Sequence, residues 1–436
     1  MKLRYIIATC ISLTRLCFAL AAYSQPANAP VLVAGIPVNY DESKTGSYTL
    51  PDPLILANGK KVKDPATWIK QRRPEILRMY EEIQFGKTPG KPEDLWFRVF
   101  DKATPVFGGK AIRRQVTVYF TKDTSDHKMD LLIYLPAKAV KPVALLLSVS
   151  FTANSAVADD PGIKPGLVWK GDKKVPVTTS AMRKVDVEKI IDNGFGYATV
   201  YYGDIEPDFK QGFKYGVRGL YLRPGTTYPA GDEWGAISAW AWGLSRVMDY
   251  FETDRDIDAR RVAVTGASRL GKTALWAGAR DQRFALVLAS ISGEGGAALS
   301  RRDFGETIKH ITDTSRYFYQ FAPNYHSYSD RVSDLPMDSH MLISLVAPRP
   351  LLLQTGDTDN WSDPKGEFLA ALAAEPVYRL FGKQGLMKTT MPPAKDTSMQ
   401  NTLGYYMHSG GHTVLPEDYD VFISFMKKHL GAGESR

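Results

Sequence analysis

The sequence predicts an α/β fold: a three-layer sandwich around a mostly parallel, twisted sheet with an antiparallel N-terminal edge. Three observations carry this. From about residue 185 onward, short apolar runs alternate with segments of helical period. Before that point several strand-like segments follow one another with no helical segment between them. Residues 143–151 (VALLLSVSF) form an unbroken apolar run, which is the pattern of a strand covered on both faces.

Taken in chain order, residues 25–58 are rich in Pro, Asn, Gly and Ser with little periodicity and read as an extended arm. Residues 65–80 (PATWIKQRRPEILRMY) place Trp68, Ile76, Leu77 and Tyr80 at helical spacing, which predicts an amphipathic helix. Residues 98–100, 111–120 and 128–135 read as the front strands, followed by 143–151. A helix at 185–193, a strand at 196–202, a helix at 234–251 and a strand at 262–265 come next. A helix, strand, helix series follows, with strands at 284–290 and 349–354, and a last helix spans 416–430. Segments 153–184 and 204–232 are expected to be surface loops near the strand ends. With no internal repeat and no dividing linker, one catalytic domain is expected over residues 59–436.

Composition narrows the class. At 436 residues, with 44% hydrophobic and 23% charged side chains, the chain can bury a large core, which sets aside disordered and fibrous proteins. Residues 1–24 carry Lys2, Arg4 and Arg15 and no acidic group, and apolar runs precede the small-residue boundary at Ala22-Tyr23-Ser24. This reads as a cleaved secretory signal peptide, and Arg15 leaves too few consecutive apolar residues to span a bilayer. A secreted or periplasmic protein is therefore expected, monomeric and without membrane attachment. Both cysteines, Cys10 and Cys17, fall inside this segment, so no disulfide is expected in the mature chain. The 55 basic groups only modestly exceed the 47 acidic ones, and no basic block is interleaved with aromatics, which argues against nucleic acid as a partner. A mild positive field suits an acidic polysaccharide instead.

The chemistry centres on residues 262–272 (VAVTGASRLGK), an apolar strand, a sharp turn and the start of a helix. A nucleophile elbow needs this arrangement, because a strained turn thrusts the serine hydroxyl out at a helix N-terminus. The second glycine stands three residues after Ser268, one more than in G-x-S-x-G. The same stretch, GASRLGKT (266–273), also matches the phosphate-binding G-x-x-x-x-G-K-[ST]. Against that reading, the strand at 284–290 does not end in a magnesium-binding Asp, and an exported protein meets little ATP.

A serine hydrolase of the α/β-hydrolase fold needs an acid and then a histidine downstream of the nucleophile. Asp359 follows the strand at 349–354 in the loop Gly356-Asp357-Thr358-Asp359, where the acid is delivered. Residues 408–412 (HSGGH) form a Gly-rich loop before the final helix, and the chain has only seven histidines. His412 directly precedes that helix and is the expected base; His408 is expected to play a supporting part and Asp357 to be a solvated carboxylate. A zinc pair at His408 and His412 would need a helix, which Gly410-Gly411 opposes. No metal or cofactor is expected.

With these residues in place the sequence resembles carbohydrate esterase family 15, the glucuronoyl esterases, whose elbow reads G-x-S-R-x-G-K. The resemblance covers most of the chain from about Trp68, through RRPEI (72–76), EWGAISAWAWG (233–243), the elbow, SGEGGAAL (292–299), APRPLLL (347–353) and DNWSDPKGEF (359–368). It implies that Ser268 attacks the ester carbonyl, that His412 takes its proton, and that Arg269 stabilises the oxyanion through its backbone N–H and guanidinium. It further implies that Lys272, Trp361 and Glu306 hold the uronic acid, the first and last by hydrogen bonds and Trp361 by packing on the sugar. Read alone, Lys272 is a solvated first-turn lysine, Trp361 a half-buried loop residue and Glu306 a helix cap. Many members, notably fungal ones, place a catalytic Glu where this chain has Ile291; bacterial members often use the later Asp, which points to Asp359, with Glu294 the weaker candidate. Residues 312–321 also depart from the usual polar-plus-Trp pattern near the substrate.

The implied activity is hydrolysis, through an acyl-enzyme, of esters joining 4-O-methyl-glucuronic acid on glucuronoxylan to alcohols, as in lignin–carbohydrate linkages. An acetyl or other carbohydrate esterase on the same fold is the alternative within this class. A non-catalytic carbohydrate-binding protein is the alternative outside it, and the intact Ser268, Asp359 and His412 argue against that.

Overall fold

Nine strands hydrogen-bond into one sheet in the computed structural model, which describes residues 30–125, 127–140, 142–178, 184–222, 225 and 230–431. The predicted signal peptide lies outside the described residues. The strands are β1 (Trp96–Val106), β2 (Ala111–Tyr119), β3 (Lys128–Pro136), β4 (Val143–Ser150), β5 (Gly196–Tyr201), β6 (Ile257–Ala267), β7 (Leu286–Ser290), β8 (Leu351–Gly356) and β9 (Leu403–His408). Across the sheet they run β1-β2-β3-β5-β4-β6-β7-β8-β9. β1 to β3 pair antiparallel and β3 meets β5 antiparallel; every pairing from β5 to β9 is parallel. The antiparallel front edge expected from the sequence is thus present.

The apolar run of β4 explains why both faces are covered. Val143, Leu145, Leu147 and Val149 join one core while Ala144 and Leu146 join the other, as period-two alternation requires. Helices α2 (Ala236–Phe251), α3 (Arg269–Arg280) and α4 (Pro364–Leu380) pack on the first face. Helices α1 (Val187–Asp192) and α5 (Asp418–Leu430) pack on the second. All residues of α2 are buried, and its charged members Arg246 and Asp249 pair with each other at 2.6 Å.

Besides a longer β6 and the unexpected α4, four expectations change. The helix expected at 65–80 runs to Gln84 and widens twice into π turns, at Trp68–Arg72 and Tyr80–Gln84. Pro74 lies just after the first of these and cannot donate a hydrogen bond, and the neighbouring Arg73 N–H reaches back five residues to the Trp68 carbonyl. β1 is longer than expected, because an edge strand tolerates its Asp101, Lys102 and Pro105. β9 was not anticipated: among the strands of the sheet its short Gly-aromatic run pairs with β8 at the edge.

The segments expected as surface loops are partly interior. In 204–232, Arg218 Nε donates to Glu206 Oε1 at 2.7 Å in full burial, and the Trp240 indole donates to the Glu206 carbonyl at 2.8 Å. In 153–184, Asp160 accepts from Arg113 at 2.6 Å and from the Tyr134 hydroxyl at 2.9 Å, while Val157 and Ile163 enter the second core. Neither segment shows helical or strand periodicity over the length needed to reveal this burial.

The arm also returns to the body. Asn39 donates to the Asp303 carbonyl at 2.5 Å and accepts at its own carbonyl from Gly305 N–H at 2.8 Å. Glu42 is ion-paired with Arg302 and with Lys365, the latter at 2.7 Å.

Candidate active site

Ser268 stands between the last residue of β6 and the first of α3, with φ 57° and ψ −127°. That conformation is costly for a side chain other than glycine and persists only where its surroundings enforce it. Here the Ser268 N–H donates to the Ser290 carbonyl at 2.9 Å and its own carbonyl accepts from Lys272 N–H at 3.0 Å. The unusual glycine spacing follows from the same close packing. A Cβ at Gly271 would stand 2.3 Å from the Ser290 carbonyl oxygen, and one at Gly266 would stand 2.2 Å from that of Leu270. Gly271 is therefore set by the approach of α3 to β7, a constraint separate from the turn itself.

Two loops at the same end of the sheet complete the arrangement. β8 delivers Asp359 and β9 delivers the Gly-rich loop of His412; Gly356 and His408 are partners in the ladder, so both loops start level. His412 Nε2 lies 2.9 Å from Ser268 Oγ, and His412 Nδ1 lies 2.7 Å from Asp359 Oδ2. Ser362 Oγ stands 3.0 Å from the same Nδ1. Asp359 is buried while the imidazole is 41% exposed, so the carboxylate is fixed and the ring is open to a ligand.

The competing residues are engaged elsewhere. His408 is buried, with Nδ1 3.0 Å from Asp418 and Nε2 3.1 Å from the Gly411 carbonyl, and so shapes the loop that carries His412. Asp357 is exposed and accepts from Gly410 N–H at 2.8 Å. Glu294 is buried and accepts from Ser300 at 2.6 Å and from Tyr325 at 3.3 Å; burial pushes its carboxyl up to about 8.

A cluster of charged groups adjoins the nucleophile. Arg269 is ion-paired with Asp208, and its guanidinium lies over the Tyr317 ring at 4.4 Å. The first backbone N–H groups of α3, at Arg269 and Leu270, have no intrahelical acceptor and open the helix with partial positive charge. Lys272 is buried, and among the described residues no carboxylate comes within ion-pair distance of its ammonium. Burial pulls its pKa down, with Glu306 opposing and Arg269 adding to the shift. Glu306 is buried and pushed up by desolvation, with Lys272 and Arg316 opposing. Its backbone N–H donates to the Trp361 carbonyl at 2.9 Å, which ties the two residues together.

The structure thus brings Ser268, His412, Asp359, Arg269, Lys272, Glu306 and Trp361 to one end of the sheet. Besides Ser362, four further residues there were not singled out from the sequence. Asp208 comes from the second insertion. Arg316 donates to Glu306 at 3.0 Å and lies over Trp361 at 5.1 Å, and Tyr317 sits between Arg269 and Arg316. Tyr40, from the arm, has its hydroxyl pKa raised by burial and by the charges of Asp359 and Glu306. The departure of residues 312–321 from the expected pattern was the only signal for Arg316 and Tyr317.

Sheet order, elbow and the serine–histidine–aspartate contacts together define a serine hydrolase of the α/β-hydrolase fold. Comparison with known proteins narrows the class. The family description "Glucuronyl esterase, fungi" matches residues 218–382. The chain is 43% identical over 405 residues to carbohydrate esterase MZ0003 from an unknown prokaryotic organism, covering 91% of this chain and 93% of that protein. A glucuronoyl esterase structure from Solibacter usitatus superposes with a TM-score of 0.84 at 45% identity, over 89% of this chain and 100% of that one. A CE15 glucuronoyl esterase from Teredinibacter turnerae gives a TM-score of 0.76 at 31% identity, over 91% of this chain and 93% of that one. The chain belongs to carbohydrate esterase family 15, and it is a carboxylic ester hydrolase.

Proposed function

We propose that this protein hydrolyses esters of 4-O-methyl-glucuronic acid on glucuronoxylan, with Ser268 as nucleophile, His412 as base, Asp359 as the acid that orients it and Arg269 as the oxyanion group. The observation that carries this reading is the unbroken chain from Ser268 Oγ through the imidazole to the buried Asp359.

The steps follow from that geometry. Ser268 Oγ bonds to the ester carbonyl carbon as its proton passes to His412 Nε2, and Asp359 steadies the imidazolium through Nδ1–H. Charge gathers on the carbonyl oxygen, which the Arg269 guanidinium and the free N–H groups of α3 stabilise; one such donor is worth about 3 kcal/mol. The bond from carbon to the alcohol oxygen then breaks, and His412 returns its proton to that oxygen. A water repeats the sequence on the acyl-enzyme and frees the uronic acid and Ser268. Lys272 and Glu306 supply polar contacts for the sugar hydroxyls, and Trp361 supplies an aromatic wall.

Residues 1–24 support export to the periplasm or the medium. Among the described residues no helix is long and apolar enough to cross a membrane. Ser268→Ala is expected to bind glucuronate and to lose all turnover of benzyl glucuronate. Turnover at the wild-type rate in that variant overturns the mechanism.

A further inference from the structure

Tyr40 stands in the arm between residues that spend their polar groups on fastening it. Asn39 bonds to Asp303 and Gly305, Asp41 N–H donates to Asn39 Oδ1 at 2.8 Å, and Glu42 pairs with Arg302 and Lys365. Tyr40 takes no part in this. Its ring lies edge-on to Phe304 at 6.1 Å, the residue is 40% exposed, and its hydroxyl makes no hydrogen bond among the described residues. Burial raises the pKa of that hydroxyl, and the carboxylates of Asp359 and Glu306 are close enough to add to the shift.

Residues 304–306 join Tyr40 to the groups assigned to the sugar. Gly305 donates its N–H to the Asn39 carbonyl on one side. On the other it has φ 65°, and a Cβ there would stand 2.4 Å from the Asn360 carbonyl oxygen and 2.6 Å from that of Trp361. Glu306 N–H donates to the same Trp361 carbonyl. The arm, residues 304–306 and the loop of Trp361 are thus one packed junction. Lys272 and Glu306 are buried and give the floor of the sugar site, whereas Tyr40 is open to solvent at its rim.

Glucuronic acid on xylan is a side group, so when it fills a pocket the xylose that carries it stays at the mouth. We infer that Tyr40 is the contact for that xylose, its ring covering a C–H face of the pentose and its hydroxyl bonding to a pentose hydroxyl, an assignment that rests on the function proposed above. An apolar body with a polar tip suits a neutral sugar. The enzyme thereby prefers uronate esters still attached to xylan over free ones.

The test compares methyl glucuronate with the methyl ester of the same acid carried on xylotriose, as substrates of the wild type, Tyr40→Ala and Tyr40→Phe. The wild type is expected to favour the xylotriose-linked ester in kcat/KM by about tenfold, through KM. Tyr40→Ala should bring that ratio close to one. Tyr40→Phe keeps the ring on Phe304 and loses only the hydroxyl, and should lower the ratio by about threefold. Thermal melting reports whether each variant has folded, and the Phe variant decides the matter alone if the Ala variant has not. A ratio retained in every variant that folds, a ratio near one in the wild type, or an equal fall in kcat on both substrates, as a disturbance of Asp359 gives, overturns the assignment. Isothermal titration of the unesterified xylotriose-linked acid into Ser268→Ala gives a readout independent of turnover: adding Tyr40→Ala should weaken its binding more than that of glucuronic acid alone, and equal weakening overturns the assignment. A wild type that hydrolyses neither ester overturns the function proposed above, and one that hydrolyses both equally overturns the role of Tyr40 alone.

Discussion

The carboxylate of Asp208 is ion-paired with the guanidinium of Arg269, the residue that follows the nucleophile. Its other oxygen accepts from the Tyr319 hydroxyl at 2.9 Å and from the Gln320 amide at 2.7 Å. Four donors, including the Tyr202 hydroxyl at 3.3 Å, converge on one buried acid, which sets the direction in which Arg269 presents its charge.

Asp208→Asn keeps the shape but leaves one acceptor oxygen for the four donors and removes the charge that anchors Arg269. It is expected to lower kcat by about ten- to a hundredfold with a smaller change in KM, since the oxyanion forms only in the transition state. Steady-state kinetics on benzyl glucuronate decide this; a rise in KM with kcat intact contradicts it.

Asp359→Asn is expected to lower kcat by about four orders of magnitude, because an amide no longer selects the imidazole tautomer that accepts from serine. Asp357→Asn should change kcat by less than about threefold, given its exposure and its single bond to the Gly410 N–H. The opposite ranking of the two variants would reassign the acid.

Lys272 illustrates a conflict between stability and binding. Its buried ammonium lacks an ion-pair partner among the described residues, so Lys272→Met should raise stability by about 1 kcal/mol while KM for glucuronate esters rises severalfold. Thermal unfolding and kinetics on the same preparation check both halves. A destabilised variant would show that the ammonium is better solvated than its burial implies.

Glu367 gives the pH dependence. It accepts from Gly293 N–H at 2.6 Å and from Ser292 at 3.2 Å through one oxygen, while the other is buried without a partner. Desolvation pushes its carboxyl up from 4.5 to about 8, so the folded chain holds a proton that the unfolded chain releases. The stability tied to that proton is complete below about pH 4.5 and is lost as pH rises through about 8. Urea midpoints should therefore fall between pH 5 and pH 8, and Glu367→Gln, which keeps a neutral acceptor, should flatten the decline. Equal slopes in the two proteins count against a protonated Glu367.

Ser268, His412 and Asp359 were legible as candidates because each sits in a loop with a local signature: a strand–Gly–Ser–helix run for Ser268, and glycine-rich turns after strands for Asp359 and His412. The parallel sheet was legible from runs such as that of β4. Asp208 and Tyr40 were not, since nothing within a few residues of them encodes their role, and Arg316 and Tyr317 were marked only by the departure of residues 312–321 from the expected pattern. Asp208 meets Arg269 across 61 positions, and Tyr40 reaches the site only because Asn39 and Glu42 fasten the arm to distant segments. β9 escaped because six residues containing a glycine do not display an alternation.

The fastening of Asn39 to Asp303 spans 264 positions, and that of Glu42 to Lys365 spans 323. Segments far apart along the chain are thus docked on one another, so the arm beside the site is held by contacts of high sequence separation, which form late relative to local structure.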